Sequence, residues 1–390
     1  MKKQKHFDTL YPTTKAYQRY NPQTLTSNEE NKVLDKSNYG YKTEDGKRRR
    51  IEKGHSGFSL LDYAFRDAGY TGTMYAGETE GRNKGYYSWK PLGLTKKPDG
   101  VPKWQGTPER ASQIITKAAK FYGAADVGFC ELDERWLFSH TESGKKIVFE
   151  DIEEAYETED KAVIPKSHRY VIVLLVSMDI ESYQYAPTAM VAAGGLAYSR
   201  MHILAGTVAE FIRGLGYQAI PSGNDMGANV PIAIQAGLGH TGRTSRLIHW
   251  KYGPLVKICK VFTDLPVEYS PLAPPGIIEF CEVCSKCQKK CPSNCIPAGP
   301  RSFEGAQGEN TGVLKWHNNE YACANYWDKV GTSCSICFRV CAFTKPNTLF
   351  HRVIKWFIKY LPQLNRLWVW GDDLFGYGKK GNPDKYWDKP

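Results

Sequence analysis

Long apolar runs are missing from this chain. The longest in its 390 residues is YVIVLLVSM, residues 170–178. That is about half of the roughly 20 residues that a membrane-spanning helix needs. The opening MKKQKHFDTLYP carries basic residues but no apolar core, so it does not read as a secretory signal. No G-x-G-x-x-G opens a strand–turn–helix unit, which argues against a dinucleotide site. Neither a flavin nor a haem motif is evident. No internal repeat stands out beyond two runs of cysteine.

What is present describes a soluble, globular chain, 41% hydrophobic and 24% charged, long enough for one large or two modest domains. A formal charge of +11 suits an acidic partner: nucleic acid, anionic lipid or an acidic redox protein. The densest basic patch, KRRRIEK at 47–53, reads as a solvated loop. Aromatic residues make up 13% of the chain, a supply suited to the walls of an apolar pocket.

Cysteine is distributed unevenly. Of 11 cysteines, nine fall between Cys281 and Cys341, mostly in C-x-x-C spacing. Disulfide scaffolds are usually short secreted chains with cysteines throughout. The run Cys281-x2-Cys284-x2-Cys287-x3-Cys291-Pro292 is the bacterial ferredoxin pattern, whose fourth cysteine ligates the other cluster of a pair. Cys323-x10-Cys334-x2-Cys337-x3-Cys341 supplies the complement. One 4Fe–4S cluster is therefore assigned to Cys281, Cys284, Cys287 and Cys341, and a second to Cys291, Cys323, Cys334 and Cys337. The alternative is two structural zinc sites of four thiolates each. Ala342 stands where a ferredoxin usually has proline. Cys295 is left without a ligand position, and Cys130 and Cys259 read as buried apolar residues.

Periodicity predicts an α/β (α+β) core. Residues 1–105 read as irregular and aromatic, with a short helix near 58–68. Thr107-Pro108-Glu109 is a helix start, and its helix runs to Phe121. Residues 124–136 and 170–178 read as buried strands. Leu204, Val208, Phe211, Ile212 and Leu215 recur at helical spacing, with Gly216 as the stop. A strand at 217–220, a helix at 230–236 and the β-like LVKICKVFTDL complete a core spanning 106–274. The cysteine module occupies 275–346. The tail 347–390 is basic and amphipathic, able to pack on the core or to dock on a membrane partner. Some 270 residues precede the cysteines, more than an electron carrier needs, so the clusters are expected to feed a second cofactor or a substrate.

From Ala197 the chain reads AYSRMHILAGTVAEFIRGLGYQAIPSGNDMGANVPIAIQAGLGHTGRTSRLIHWKYGPLVKICKVFTDLP. Together with FCEVCSKCQKKCP, CANYWDKVGTSCSICFRVC, GAADVGFCELDERW and AYQRYNP, it resembles the corrinoid- and iron–sulfur-dependent reductive dehalogenases of organohalide respiration, over most of its length. The resemblance implies a nitroreductase-like core that binds base-off cobalamin, followed by a ferredoxin-like module with two 4Fe–4S clusters. Consistently, the D-x-H-x-x-G motif of corrinoid proteins with a histidine ligand is lacking. Electrons would pass through the clusters to cobalt, and a small chlorinated compound would lose halide and gain a proton.

The proton donor implied is Tyr198, with Lys257 as its basic partner and Asn224 beside them. Arg243 competes for the partner's role, or is structural, or binds cofactor together with Ser222, Gly223, Asn224 and Asp225. Trp327, Tyr70 and Tyr75 are the implied pocket walls. The family also implies a membrane anchor subunit and an electron donor, a place on the outer face of the cytoplasmic membrane after twin-arginine export, and assembly as a homodimer among the options. A mature chain is expected, since that signal is not seen; a cytoplasmic relative is the lesser option. No nucleic acid partner is expected. Two rivals remain. One is an epoxyqueuosine reductase-like tRNA-modifying enzyme, whose catalytic aspartate Asp225 could imitate. The other is a non-catalytic two-cluster carrier.

Overall fold

The computed structural model describes residues 2–19, 44–76, 85–92, 97–141, 144–306 and 309–388. AYQRYNP runs past its first described stretch, and its last residues lie outside the described ones.

Nine strands occur among the described residues: β1 (Asp126–Glu131), β2 (Lys146–Glu150), β3 (Tyr156–Glu157), β4 (Lys161–Pro165), β5 (Tyr170–Ser177), β6 (Ala219–Ser222), β7 (His240–Thr241), β8 (Leu247–Ile248) and β9 (Val256–Thr263). The central sheet runs β1-β5-β9-β6 and every pairing in it is antiparallel. Its middle strands are the two apolar runs seen in the sequence, and both faces of the sheet are covered. On one face Ile258 and Phe262 pack with Ile232, Ala233 and Ile234 of the helix Asn229–Gln235. On the other, Cys259 and Val261 pack against the long helix Ala193–Gly214 through Met201, Leu204, Ala205 and Val208. A strand covered on both faces carries apolar residues without alternation. That is why YVIVLLVS reads as one continuous run.

The helix starts follow local chemistry. Thr107 caps Pro108–Phe121, its Oγ1 accepting from the Arg110 amide at 3.2 Å. Ser59 and Asp62 form a reciprocal cap on Leu60–Ala68. Gly216 closes the long helix with φ of 90°, a backbone shape that favours glycine.

The predicted irregular N-terminal region contains more helix than its composition suggests. Lys2–Leu10 and Glu44–Glu52 are helical. The second holds most of KRRRIEK, a departure from the predicted solvated loop. Its Arg50 donates to the Asp328 carbonyl at 2.7 Å, and Lys47 pairs with Asp67. These partners lie far along the chain, which is why local sequence does not reveal them. The predicted core also lacked the side sheet β2-β4-β3, whose strands are short.

The tail forms two helices, Leu349–Tyr360 and Asn365–Leu374. Ile354, Ile358, Trp368 and Val369 pack on the core. Among the described residues no helix is long and apolar enough to cross a membrane.

Candidate active site

The long helix and β9 bring three of the predicted residues together. Alternation along β9 turns Lys257 toward the helix-covered face of the sheet, the same side as Cys259. The helix presents Tyr198 there, and the Lys257 ammonium sits 3.7 Å from the centre of the Tyr198 ring. Asn224 comes from the turn that follows β6. These three line one cavity of about 1180 Å³, together with Trp327 and Tyr70. The Tyr70 ring stacks against Tyr198 at 6.3 Å between centroids.

The electrostatics of this group follow from its geometry. The Lys257 ammonium favours the Tyr198 phenolate and is the chief cause that holds its pKa below the ordinary tyrosine value; burial opposes it, and hydrogen bonding to Lys257 and Asn224 adds to the lowering. The neighbouring tyrosines go the other way. Burial pushes Tyr70 up, and Tyr183 with it. One phenol in the cavity is thus singled out as the easiest to ionise.

Asn224 is held by a chain of buried polar groups. The Asn229 amide donates to Asn224 Oδ1 at 2.7 Å, and Lys260 Nζ donates to Asn229 Oδ1 and to the Gly223 carbonyl, each at 2.7 Å. Lys260 is fully buried on the face of β9 opposite Lys257. Ser222 Oγ and the Gly223 amide both donate to Asp225 Oδ1, at 2.8 and 2.9 Å. Of the four turn residues predicted to touch cofactor, Asn224 alone lines the cavity. Ser222, Gly223 and Asp225 build the turn that presents it. A side chain at Gly223 would meet the Tyr87 hydroxyl at 2.3 Å, so close packing explains that glycine.

Two further residues named from the sequence lie away from the cavity. Arg243 is buried and does not line the cavity; Lys257 stands at Tyr198 instead. The Arg243 guanidinium donates to the carbonyls of Cys281, Glu282, Pro297, Ala298 and Gly299 at 2.8–3.1 Å, and it lies over Trp316. Its contacts tie the core to the cysteine module. Tyr75 is exposed on the short helix Thr71–Tyr75 and lies outside the cavity lining, unlike Tyr70. The two rings are five positions apart, and the intervening 3-10 helix aims them differently. Arg246, in contrast, went unremarked in the sequence. It lines the cavity, pairs with Glu320 at 3.0 Å and contributes to lowering Tyr198. Its place in GHTGRTSR, three residues after Arg243, was the available signal.

The cysteines fall into two neighbourhoods. Cys281, Cys284, Cys287 and Cys341 act electrostatically on one another. Cys334 and Cys337 lie near one another and near Cys295, and Cys334 also near Cys291. Each neighbourhood is entered through the same turn. In Cys284-Ser285-Lys286-Cys287 and Cys334-Ser335-Ile336-Cys337 the serine is left-handed, with φ of 47° and 54°. Such a backbone is rare for a residue with a side chain. The second neighbourhood reaches the cavity, because Cys295, Cys323 and Cys337 line it.

These donors suit metal clusters. Burial is the leading cause that raises the thiols of Cys281, Cys284, Cys287, Cys334, Cys337 and Cys341. As thiolates they need a metal to hold them. The cavity exceeds the usual range of about 300–1,000 Å³ for small-ligand pockets, and its apolar lining fits a cofactor of macrocycle size.

The chain joins a mixed α/β body to two groups of thiols beside one large cavity. Residues 18–147 match the family model for the reductive dehalogenase subunit. The chain is 36% identical over 332 residues to the tetrachloroethene reductive dehalogenase of Sulfurospirillum multivorans, covering 81% of this chain and 65% of that protein. It is 34% identical over 339 residues to the tetrachloroethene reductive dehalogenase of Desulfitobacterium hafniense, covering 77% and 60%. A solved catabolic reductive dehalogenase shares the fold with a TM-score of 0.65 at 20% identity, over 94% of this chain and 48% of that one. Another, solved in connection with B12-dependent dehalogenation, gives 0.61 at 24% identity, over 73% and 39%. Over most of its length the chain is similar to reductive dehalogenases. It spans just under two thirds of the length of the curated relatives it matches.

Proposed function

We propose that the chain is a reductive dehalogenase acting on a small chlorinated compound, with chlorinated ethenes the first class to test. The observation that carries the reading is one cavity lined at once by Tyr198 with its Lys257 and by thiols of the second cysteine group. Proton and electrons would thus arrive in the same space.

The cavity would hold cobalamin in its base-off form. Cys281, Cys284, Cys287 and Cys341 would hold one 4Fe–4S cluster, and the second neighbourhood another, in a ferredoxin-like module. When bound, these groups supply the electrons and the reduced cobalt that break the carbon–halogen bond. The chain's own residues do the rest. Tyr198 holds the proton that replaces the halogen on carbon. Lys257 stabilises the phenolate that remains, lowering the cost of giving up that proton. Asn224, steadied by Asn229 and Lys260, fixes the phenol's direction. Tyr70 and Trp327 offer apolar wall to a substrate with almost no hydrogen-bonding capacity.

Asp225 is engaged within its own turn, which favours this reading over the tRNA-modifying alternative. The outer face of the membrane is proposed as its location, with an integral membrane anchor as partner. The support is a stripe of exposed Leu349, Val353, Trp356 and Tyr360 on one tail helix, with Arg352, Lys355 and Lys359 beside it.

Chloride release is the decisive experiment. Protein reconstituted anaerobically with cobalamin, iron and sulfide is given a reduced viologen dye and tetrachloroethene. The proposal expects chloride from the native chain and little or none from Tyr198→Phe. Equal rates from both would remove Tyr198 from its role, and chloride from neither would remove the function.

A further inference from the structure

Cys295 was left over by the motif count, yet it lies inside the second cysteine neighbourhood. It is buried, with 7% of its surface exposed. Its sulfur is 3.4 Å from that of Cys291 and in hydrogen-bonding contact with Cys323. Cys334 and Cys337 both register its charge. The backbone holds it there: the Asn319 amide donates to the Cys295 carbonyl at 2.9 Å, and Asn319 caps the helix Glu320–Val330 that carries Cys323. The turn after Cys291 is thereby docked against that helix. Cys295 and Cys323 also face the same cavity.

Cys295 is thus a fifth thiol in a neighbourhood where a four-iron cluster would take four. The cysteine module's first neighbourhood has no such surplus. Cys291, Cys334 and Cys337 sit in the compact runs of the two motifs. Cys323 stands 11 residues ahead of Cys334, on a separate helix. It is the ligand whose place depends most on how that helix docks, and Cys295 is the thiol seated beside it.

We propose that Cys295 is a second holder of the iron corner otherwise taken by Cys323. The inference rests on the reading of this neighbourhood as a 4Fe–4S site. In the exchange one iron–sulfur bond forms and one breaks. The Cys295 thiol gives up its proton as its sulfur binds iron, and the departing Cys323 thiolate takes one up, so no electron changes hands. The consequence is a cluster with two ligation states on the wall of the cavity, each with its own spectrum.

The test compares iron and acid-labile sulfide per chain, and the electron paramagnetic resonance spectrum after reduction, in anaerobically reconstituted Cys295→Ala, Cys323→Ala and the double variant. The native chain should bind about eight irons, two clusters of four. Each single variant should keep that content, with the signal of one cluster altered in Cys323→Ala. The double variant should fall to about half, retaining the cluster of Cys281, Cys284, Cys287 and Cys341 as proof that the chain has folded. Loss of half the iron in either single variant would overturn the exchange, as would full retention in the double. Failure of the native chain to bind about eight irons would instead overturn the cluster reading itself.

Discussion

Replacing Lys257 by glutamine removes the one charge that stands against the Tyr198 ring while leaving a side chain of similar reach. Two unit charges about 4 Å apart attract by about 4 kcal/mol at an effective dielectric near 20. The cavity is open enough to admit solvent, which reduces this to about 2 kcal/mol. Each 1.36 kcal/mol is a factor of ten in rate. If most of the interaction is felt as the proton leaves, dehalogenation should slow by about 30-fold. The pH dependence carries a second signature. The phenol is the form that donates, and Lys257 holds its ionisation below the ordinary value of 10.0. Activity should therefore fall on the alkaline side sooner than for a free tyrosine. Without the ammonium, burial is left to act and the alkaline limb should move to higher pH. Any stability tied to the phenolate is present above the ordinary value and is lost as pH falls through the lowered one. Melting at neutral pH therefore separates a folding defect from a catalytic one. The assay is the pH profile of kcat/KM with reduced viologen as donor. A Lys257→Gln protein that keeps both its rate and its alkaline limb would refute the pairing.

Gly195→Ala would put a methyl 2.5 Å from the Tyr70 ring. That ring must move, and overpacking of this kind costs about 1–3 kcal/mol; a raised KM with a smaller loss of kcat is the expected result. Lys260→Met leaves the Asn229 amide oxygen and the Gly223 carbonyl without that donor, for a loss of about 1–3 kcal/mol measured by denaturant unfolding. It should also lower activity more than Tyr75→Phe, whose ring is outside the cavity. His168 is buried, and burial pulls its pKa from 6.5 down to about 4. The unfolded chain then binds the extra proton first. Stability should be full above pH 6.5 and drop by about 3 kcal/mol as pH falls toward 4; His168→Phe should flatten that slope if the reasoning holds.

Much of this could be read from the residues because the signals were local. The two buried strands are continuous apolar runs, the helix Pro108–Phe121 announces its own cap, and the C-x-x-C spacing fixes which thiols share a turn. The sequence's reach ended where position depends on contacts distant in the chain. Arg243 and Arg246 are three residues apart with similar chemistry, and only the packing of the cysteine module decides that one grips its carbonyls while the other faces the cavity. Cys295 looked surplus for the same reason: its partner Cys323 is 28 residues on, and a docked helix brings them together. Lys260 reads as a strand lysine like Lys257, but a shift of three places along β9 turns it to the opposite face, where it braces Asn224 from behind. Tyr75 shows the converse, an aromatic residue in the expected stretch whose ring points to solvent.

The central claim is that thiol-held iron and a corrinoid occupy adjoining space in this chain. Cobalt and iron measured together on the anaerobically reconstituted, desalted protein test it most directly. The account predicts about one cobalt and about eight irons per chain, with the cobalt retained through gel filtration. Full iron with no retained cobalt would contradict it.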